Sequence, residues 1–455
     1  MSSENQIIRD MGVLSDISYS SYDGEFIQNH FQNNIPLTAN EDGSFSLSTP
    51  YTVIDYIDTP VTNMQALLLQ KTGTDDYVIA FRGTQEFADK LVDATIGLAN
   101  FNPQFSAAHD FVQDMMAAHD ISADHLTLTG HSLGGILTQS VGAVMGIKGY
   151  AFNPYGTERL LTGWPNYSTS LASALLNVGL YKILDGLGLS SSYAAFAEEN
   201  ILNISYNDFG TLNGDPLSNL ATALTSDHIG GYLAIFGENE GLSAHSMAVL
   251  NAALQQYHEI LAHFTPETSF ADLSTAYVYG GDDGFNRVNA IFDELGVADV
   301  APGSLSFNFL FNSNSSELQS AGPAGMYALR ELLPFTISGA DYSHLNQNGE
   351  LDADNYSANY LEDRAAFLYQ VMHSDAASPT GDDMQFKDNA LGIEAYGGNG
   401  TPDLSDRHYI FGTSGSDNFQ GEDKEDHLYG IQGNEDLQNP IIVDCVLGGI
   451  SPCFH

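Results

Sequence analysis

The chain has 455 residues, 43% hydrophobic and 16% charged, a balance that suits a folded body of two or three domains and excludes a wholly disordered chain. Its 58 acidic and 13 basic side chains give a formal charge of −45, which repels phosphate backbones and excludes nucleic acid as a partner. The acidic surplus is compatible with high-salt adaptation, with solubility, or with a supply of carboxylate ligands for calcium.

The opening residues, Met-Ser-Ser-Glu-Asn-Gln-Ile-Ile-Arg-Asp, lack the charged start and apolar core of a secretory signal, and no stretch reads as a membrane span. Cys445 and Cys453 are the two cysteines, so the folded body carries no disulfide; a terminal loop disulfide and free thiols both stay open. Residues 77 to 84, Tyr-Val-Ile-Ala-Phe-Arg-Gly-Thr, read as a strand that stops at Gly83 and Thr84. Residues 126 to 135, Leu-Thr-Leu-Thr-Gly-His-Ser-Leu-Gly-Gly, read as a second strand running through Gly-x-Ser-x-Gly into an apolar, helix-compatible stretch. That pattern predicts a nucleophile elbow at Ser132, a sharp strand-to-helix turn with a strained serine and an exposed hydroxyl. Gly130 and Gly134 stand where a Cβ would collide as strand and helix close. The Leu133 amide, at the helix N-terminus, is poised to donate to an oxyanion, and Gly83 lets the Thr84 amide approach as the second donor.

Together, Phe81-Arg82-Gly83-Thr84 and Gly130-His131-Ser132-Leu133-Gly134-Gly135 resemble the class 3 lipases, the fungal-lipase-like branch of the α/β-hydrolases. The likeness extends over roughly residues 10 to 260 and implies the chain order Ser, acid, His. Residues 201 to 209, Ile-Leu-Asn-Ile-Ser-Tyr-Asn-Asp-Phe, alternate as a strand with Asp208 at its carboxyl end, where catalytic carboxylates of open α/β sheets project. The resemblance implies a similar Asn-Asp there; Asp215 and Asp227 are the alternatives. Composition does not choose among 14 histidines. The resemblance points to His245, in a loop before a helical stretch ending near Leu261, with His228 second and His131 read as packing beneath the elbow. The implied chemistry is two-step acyl transfer: His245 takes the Ser132 proton, Asp208 holds the imidazole, and the Leu133 and Thr84 amides hold the oxyanion.

An insertion expected at about 163–200 is strongly apolar around Leu175, Leu176, Val178, Leu180, Tyr181 and Ile183. A cap over an acyl pocket fits it, as does a buried helix of an ordinary core. Ile96 to Phe101 is similar to the lid region of the fungal relatives. Lipid esters met at a lipid–water interface are therefore the favoured substrate, triacylglycerol or phospholipid. Cutin-like polyesters, and a non-catalytic calcium-structured surface-binding protein, are the alternatives.

Residues 265–405 read as a mainly helical accessory region, with acidic turns at 280–284 and 346–352 that do not complete an EF-hand. From 412 to 437 a nine-residue period places Gly412, Gly421 and Gly430 in phase, likewise Asp417, Asp426 and Glu435, and likewise Phe419, Leu428 and Leu437. This resembles the repeat-in-toxin nonapeptide, which implies a calcium-binding parallel β-roll over 406–438. Its implied ligands are Gly412, Gly415, Asp417, Gly421, Asp426, Gly430, Gly433, Glu435 and Asp436, as carboxylates and turn carbonyls. The resemblance also implies secretion by a one-step type I exporter. After Leu437 the period is lost, so 439–455 is expected to be an irregular tail, truncated or non-native. The expected whole is an α/β-hydrolase domain over 1–264 with a helical cap, then the helical region and the short roll.

Overall fold

In a computed structural model, the described residues are 3–22, 26–59, 64–83, 101–154, 190–207, 230–238, 244–280, 284–310, 314–373, 384–397, 407–413, 418–420, 426–430, 436–438 and 441–445. The chain divides into two units, Met1–Ala262 with Ser269–Ser274, and His263–Thr268 with Thr275–His455.

In the first unit, β1 (Leu37–Ala39), β2 (Ser46–Thr59), β3 (Met64–Lys71), β4 (Tyr77–Phe81), β5 (Leu126–His131), β6 (Lys148–Phe152), β7 (Ile201–Asn207) and β8 (Gly231–Phe236) form one sheet in chain order. The strands from β1 to β4 pair antiparallel, and those from β4 to β8 pair parallel. The parallel centre follows from sequence: Ile79, Ala80 and Phe81 are a continuous apolar run with no exposed area, as expected of a strand covered on both faces. The helices are α1 (Ser3–Ile17), α2 (Ile27–Asn33), α3 (Phe101–His119), α4 (Leu133–Met145), α5 (Ser190–Asn200), α6 (Met247–Leu261) and, as far as Ser274, α7 (Phe270–Tyr279).

Successive β5 residues send side chains to opposite faces. Leu128 packs with Phe105 and Val112 of α3 and with Leu137 and Val141 of α4. Thr129 turns the other way, its hydroxyl 2.8 Å from that of Ser15 on α1. The α1 backbone at Gly12 lies so close to Asn251 and Leu254 of α6 that a Cβ there would stand 2.6 Å from the Asn251 Oδ1. Helices thus cover both faces, and the resulting architecture is α/β-hydrolase-like.

The second unit contains α8 (Gly284–Glu294), α9 (Ser315–Ser320), α10 (Pro323–Glu331), α11 (Ala358–Met372) and an antiparallel pair, β9 (Ser306–Phe309) with β10 (Phe335–Ser338). Phe264 stacks on Phe307 at 4.6 Å, and Phe335 meets Phe307 edge-on. Arg364, 2% exposed, donates from Nε to the Leu329 carbonyl and from Nη2 to the Arg330 carbonyl, capping the C-terminus of α10; its Nη1 lies 2.6 Å from Asp388 Oδ2. The acidic turn at 346–352 is tied by its own bonds, Asn346 Nδ2 to Asp352 Oδ1 and Asn348 to Glu350. Of the 280–284 turn, 281–283 lie outside the described residues.

Beyond α11, the strands β11 (Met384–Asp388), β12 (Ile393–Gly397), β13 (Arg407–Phe411), β14 (Asn418–Gln420), β15 (Asp426–Gly430), β16 (Asp436–Gln438) and β17 (Ile441–Cys445) fall into two sheets. One runs β12-β11-β13-β15-β17; the other is β14-β16. Tyr409 pairs with His427 and Phe419 with Leu437, both parallel and both displaced by eighteen residues. Residues nine apart, such as Phe419, Leu428 and Leu437, therefore alternate between the sheets. Residues 441–445, expected to be irregular, form a strand instead: Ile441, Ile442 and Val443 supply a β-branched run that pairs parallel with β15.

Candidate active site

The Gly-x-Ser-x-Gly segment makes a tight turn between β5 and α4. Ser132 is the N-cap of α4 with φ 57° and ψ −119°, a conformation L-residues avoid at a cost of roughly 1–3 kcal/mol. Surrounding contacts hold it there: the Ser132 N–H donates to the Phe152 carbonyl of β6 at 3.0 Å. A Cβ on Gly130 would stand 2.4 Å from the Gly134 carbonyl oxygen, and one on Gly134 would stand 2.3 Å from that of Phe81. Both positions therefore exclude any side chain. The Ser132 side chain keeps 2% of its exposure, so the hydroxyl expected to face solvent is covered in this conformation, where the elbow packs against Gly83.

Leu133 opens α4, which places its amide among the unpaired N–H groups of the helix start, beside the serine. Gly83, at the end of the β4 segment, approaches the same point: a Cβ on it would be 3.3 Å from the Ser132 Cβ and 2.6 Å from the His131 carbonyl oxygen. Thr84 follows directly but lies outside the described residues.

His245 comes from the turn before α6, where Ser246 N-caps the helix by accepting from the Ala248 N–H. Its ring centroid is 4.7 Å from that of His131, and its carbonyl oxygen is 2.6 Å from His131 Nε2. The histidine expected to act as base is thus fastened to the residue that precedes the nucleophile, 114 positions away in sequence. Asp208 lies just past the carboxyl end of β7, outside the described residues, as do Asp215, Asp227 and His228. Residues 163–189 of the expected cap and 96–100 of the second lid candidate also lie outside them; 190–200 are helix α5, and Phe101 opens α3.

Two residues of this neighbourhood carried no functional signal in the sequence. Asn153, fully buried at the end of β6, donates from Nδ2 to the Ala244 carbonyl at 3.0 Å and accepts the Tyr206 N–H on Oδ1 at 2.8 Å. One amide therefore ties the turn bearing His245 to the strand end that leads to Asp208. Its sequence context, an Asn at a strand end before Pro154, suits its left-handed φ of 40° but does not indicate its partners. Tyr19 is the other. Its hydroxyl is 2.8 Å from His131 Nδ1 and lies where a Cβ on Gly83 would stand 2.2 Å from it, and Arg82 lies over its ring at 5.7 Å. Burial pushes that phenol well above its usual range, so it stays protonated.

In the second unit, Gly412, Asp426, Gly430 and Asp436 are the expected calcium ligands that fall among the described residues; Gly415, Asp417, Gly421, Gly433 and Glu435 do not. Asp426 is fully buried and accepts the His408 N–H at 2.9 Å, while the Gly412 N–H, just past β13, donates to the Tyr429 carbonyl of β15. Among the described residues no group of three or more metal-ligating side chains converges.

A phospholipase-like family, described as a Tle-like phospholipase domain, matches residues 46–179, a span that includes the elbow and stops short of His245. No curated protein matches the chain. Among solved structures, the Lip2 lipase of Yarrowia lipolytica is similar over 51% of this chain and 78% of its own, at 14% identity and a TM-score of 0.31. A triacylglycerol lipase of Penicillium expansum aligns over 52% and 83%, at 15% identity and 0.29. The Rhizomucor miehei lipase, in its propeptide complex, aligns over 62% and 83%, at 13% identity and 0.33.

The Asn153 bridge yields a stability prediction. Asn153→Ala strands a buried carbonyl and a buried N–H, each costing about 1–3 kcal/mol. The thermal midpoint of the variant is expected to fall by several degrees in calorimetry. An unchanged midpoint would show that the bridge does not hold these segments.

Proposed function

We propose that the chain is a serine carboxylester hydrolase of long-chain lipid esters. The observation that carries this reading is Ser132, held at positive φ between β5 and α4 with His245 fastened to the same turn. In the proposed reaction His245 takes the Ser132 proton as Oγ attacks the ester carbonyl. The Leu133 and Thr84 amides hold the oxyanion, and Asp208 keeps the imidazole in the tautomer that accepts. The alkoxide takes the proton and leaves as alcohol. Water, deprotonated by the same histidine, then releases the fatty acid. Phospholipid is placed before triacylglycerol because the family matched over 46–179 is phospholipase-like.

Structural calcium in the last strands belongs to the same proposal. Carboxylates and turn carbonyls are hard oxygen donors of the type calcium takes. The eighteen-residue displacement of β13 against β15 and of β14 against β16, twice the nonapeptide period, supports the assignment. Gly412, Asp426, Gly430 and Asp436 would hold the ion with the neighbouring turn residues, and the ion would relieve repulsion among the carboxylates. Secretion through a one-step exporter is proposed on the resemblance of these repeats alone.

Activity is measured on dioleoyl phosphatidylcholine and on triolein, with the full chain and with Ser132→Ala. The parent is expected to release fatty acid, faster from phosphatidylcholine, and the variant to lose about 10⁴-fold or more with an unchanged melting midpoint. Activity that survives in Ser132→Ala would refute the assignment. For calcium, melting is followed in EDTA and in excess calcium. A concentration a hundred-fold above Kd adds about 2.7 kcal/mol, so the midpoint is expected to rise by several degrees with calcium and not with magnesium. Superimposable curves would exclude the metal.

A further inference from the structure

We propose that Tyr19 is a positioning residue that couples the oxyanion strand end to the catalytic base through His131; the inference rests on the ester-hydrolase reading above. The hydrogen-bond directions follow from the partners. The His245 carbonyl accepts only, so His131 Nε2 carries the proton in their 2.6 Å contact. Nδ1 of the neutral ring is then an acceptor, and the Tyr19 hydroxyl, 2.8 Å away, is its donor. That hydroxyl also lies against the chain just past β4, where a Cβ on Gly83 would stand 2.2 Å from it. Donation runs one way, from Tyr19 to His131 to the carbonyl of His245, and bonds in such a chain polarise and strengthen one another.

The arrangement brings together four segments distant in sequence: Tyr19 after α1, the elbow and the turn before α6 by hydrogen bonds, and the chain at Gly83 after β4 by close packing. Acyl transfer requires three of them, those bearing oxyanion donor, nucleophile and base, to keep their mutual geometry within fractions of an ångström. Tyr19 is itself fixed. Its ring meets that of His131 edge-on at 5.7 Å, and the Arg82 guanidinium lies over both its ring and that of Tyr22. Its hydroxyl sits where a Cβ on Gly83 would come within 2.2 Å, so a glycine at 83 is what lets the phenol reach the strand end. The arrangement assigns His131 a second task beyond filling space: it carries the hydrogen bond that sets the backbone of the base.

The experiment compares the full chain, Ser132→Ala, Tyr19→Phe and His131→Asn on a short-chain p-nitrophenyl ester, with kcat, KM, a pH–rate profile and a melting curve for each. Tyr19→Phe keeps the ring and its contacts and removes the hydroxyl. It is expected to lower kcat by about 10- to 100-fold with KM within about two-fold. The plateau of the profile should drop without moving its acid midpoint, because the titrating base is unchanged. His131→Asn is expected to show the same split: its shorter amide still meets Tyr19 but does not reach the His245 carbonyl. A Tyr19→Phe kcat within about two-fold of the parent overturns the proposal, and so does a loss that appears only as a lower melting midpoint. Should Tyr19→Phe fail to fold, His131→Asn decides by the same criteria. A parent no more active than Ser132→Ala refutes the hydrolase reading and this inference with it, whereas an active parent matched by Tyr19→Phe refutes the role of Tyr19 alone.

Discussion

The close approach of α4 to β5 and β4 is the constraint on which the site depends. Where the chain reverses from strand to helix, Gly130 lies against the Gly134 backbone and Gly134 against the Phe81 carbonyl, at separations no Cβ tolerates. Closure at those two points forces Ser132 to positive φ, aims the start of α4 at its hydroxyl, and brings the end of β4 alongside. The strain stored there is small beside the apolar burial that clamps both elements, since Phe81, Leu128, Ile136 and Val141 carry no exposed area. A rigid, locally strained serine on a well-packed scaffold is the arrangement that preorganised catalysis asks for.

Around that turn, two buried polar groups join segments that the sheet alone would leave independent. Asn153 links the end of β7 with the turn before α6, and Tyr19 links the end of β4 with the elbow and, through His131, with His245. Each bond is worth about 1 kcal/mol net. Their importance is geometric: satisfied networks of this kind admit one arrangement of the backbone and penalise others heavily.

The elbow was legible because its signal is local: two glycines, a serine and the switch from strand to helix pattern all lie within ten residues. The β4 and β7 runs were legible for the same reason. Tyr19 was not, because it is one of 23 tyrosines and its hydrogen-bond partner, His131, lies 112 positions away. Asn153 reads as an ordinary turn residue until its two partners are seen. The nine-residue period of the last strands was visible as phase. That consecutive repeats fall in alternate sheets, giving the eighteen-residue register, emerges only from pairing. The strand at 441–445 is a short β-branched run beyond the glycine period, and its pairing with β15 is what makes it a strand.

The central claim, that the covered serine at the elbow is a nucleophile, is tested most directly by covalent capture. The full chain is treated with a long-chain alkyl fluorophosphonate, and the adduct is counted by intact mass and located by peptide mapping. One adduct per chain, on Ser132, is the predicted result. A chain that hydrolyses lipid esters yet carries its adduct on another residue, or that takes none at all, would contradict the account.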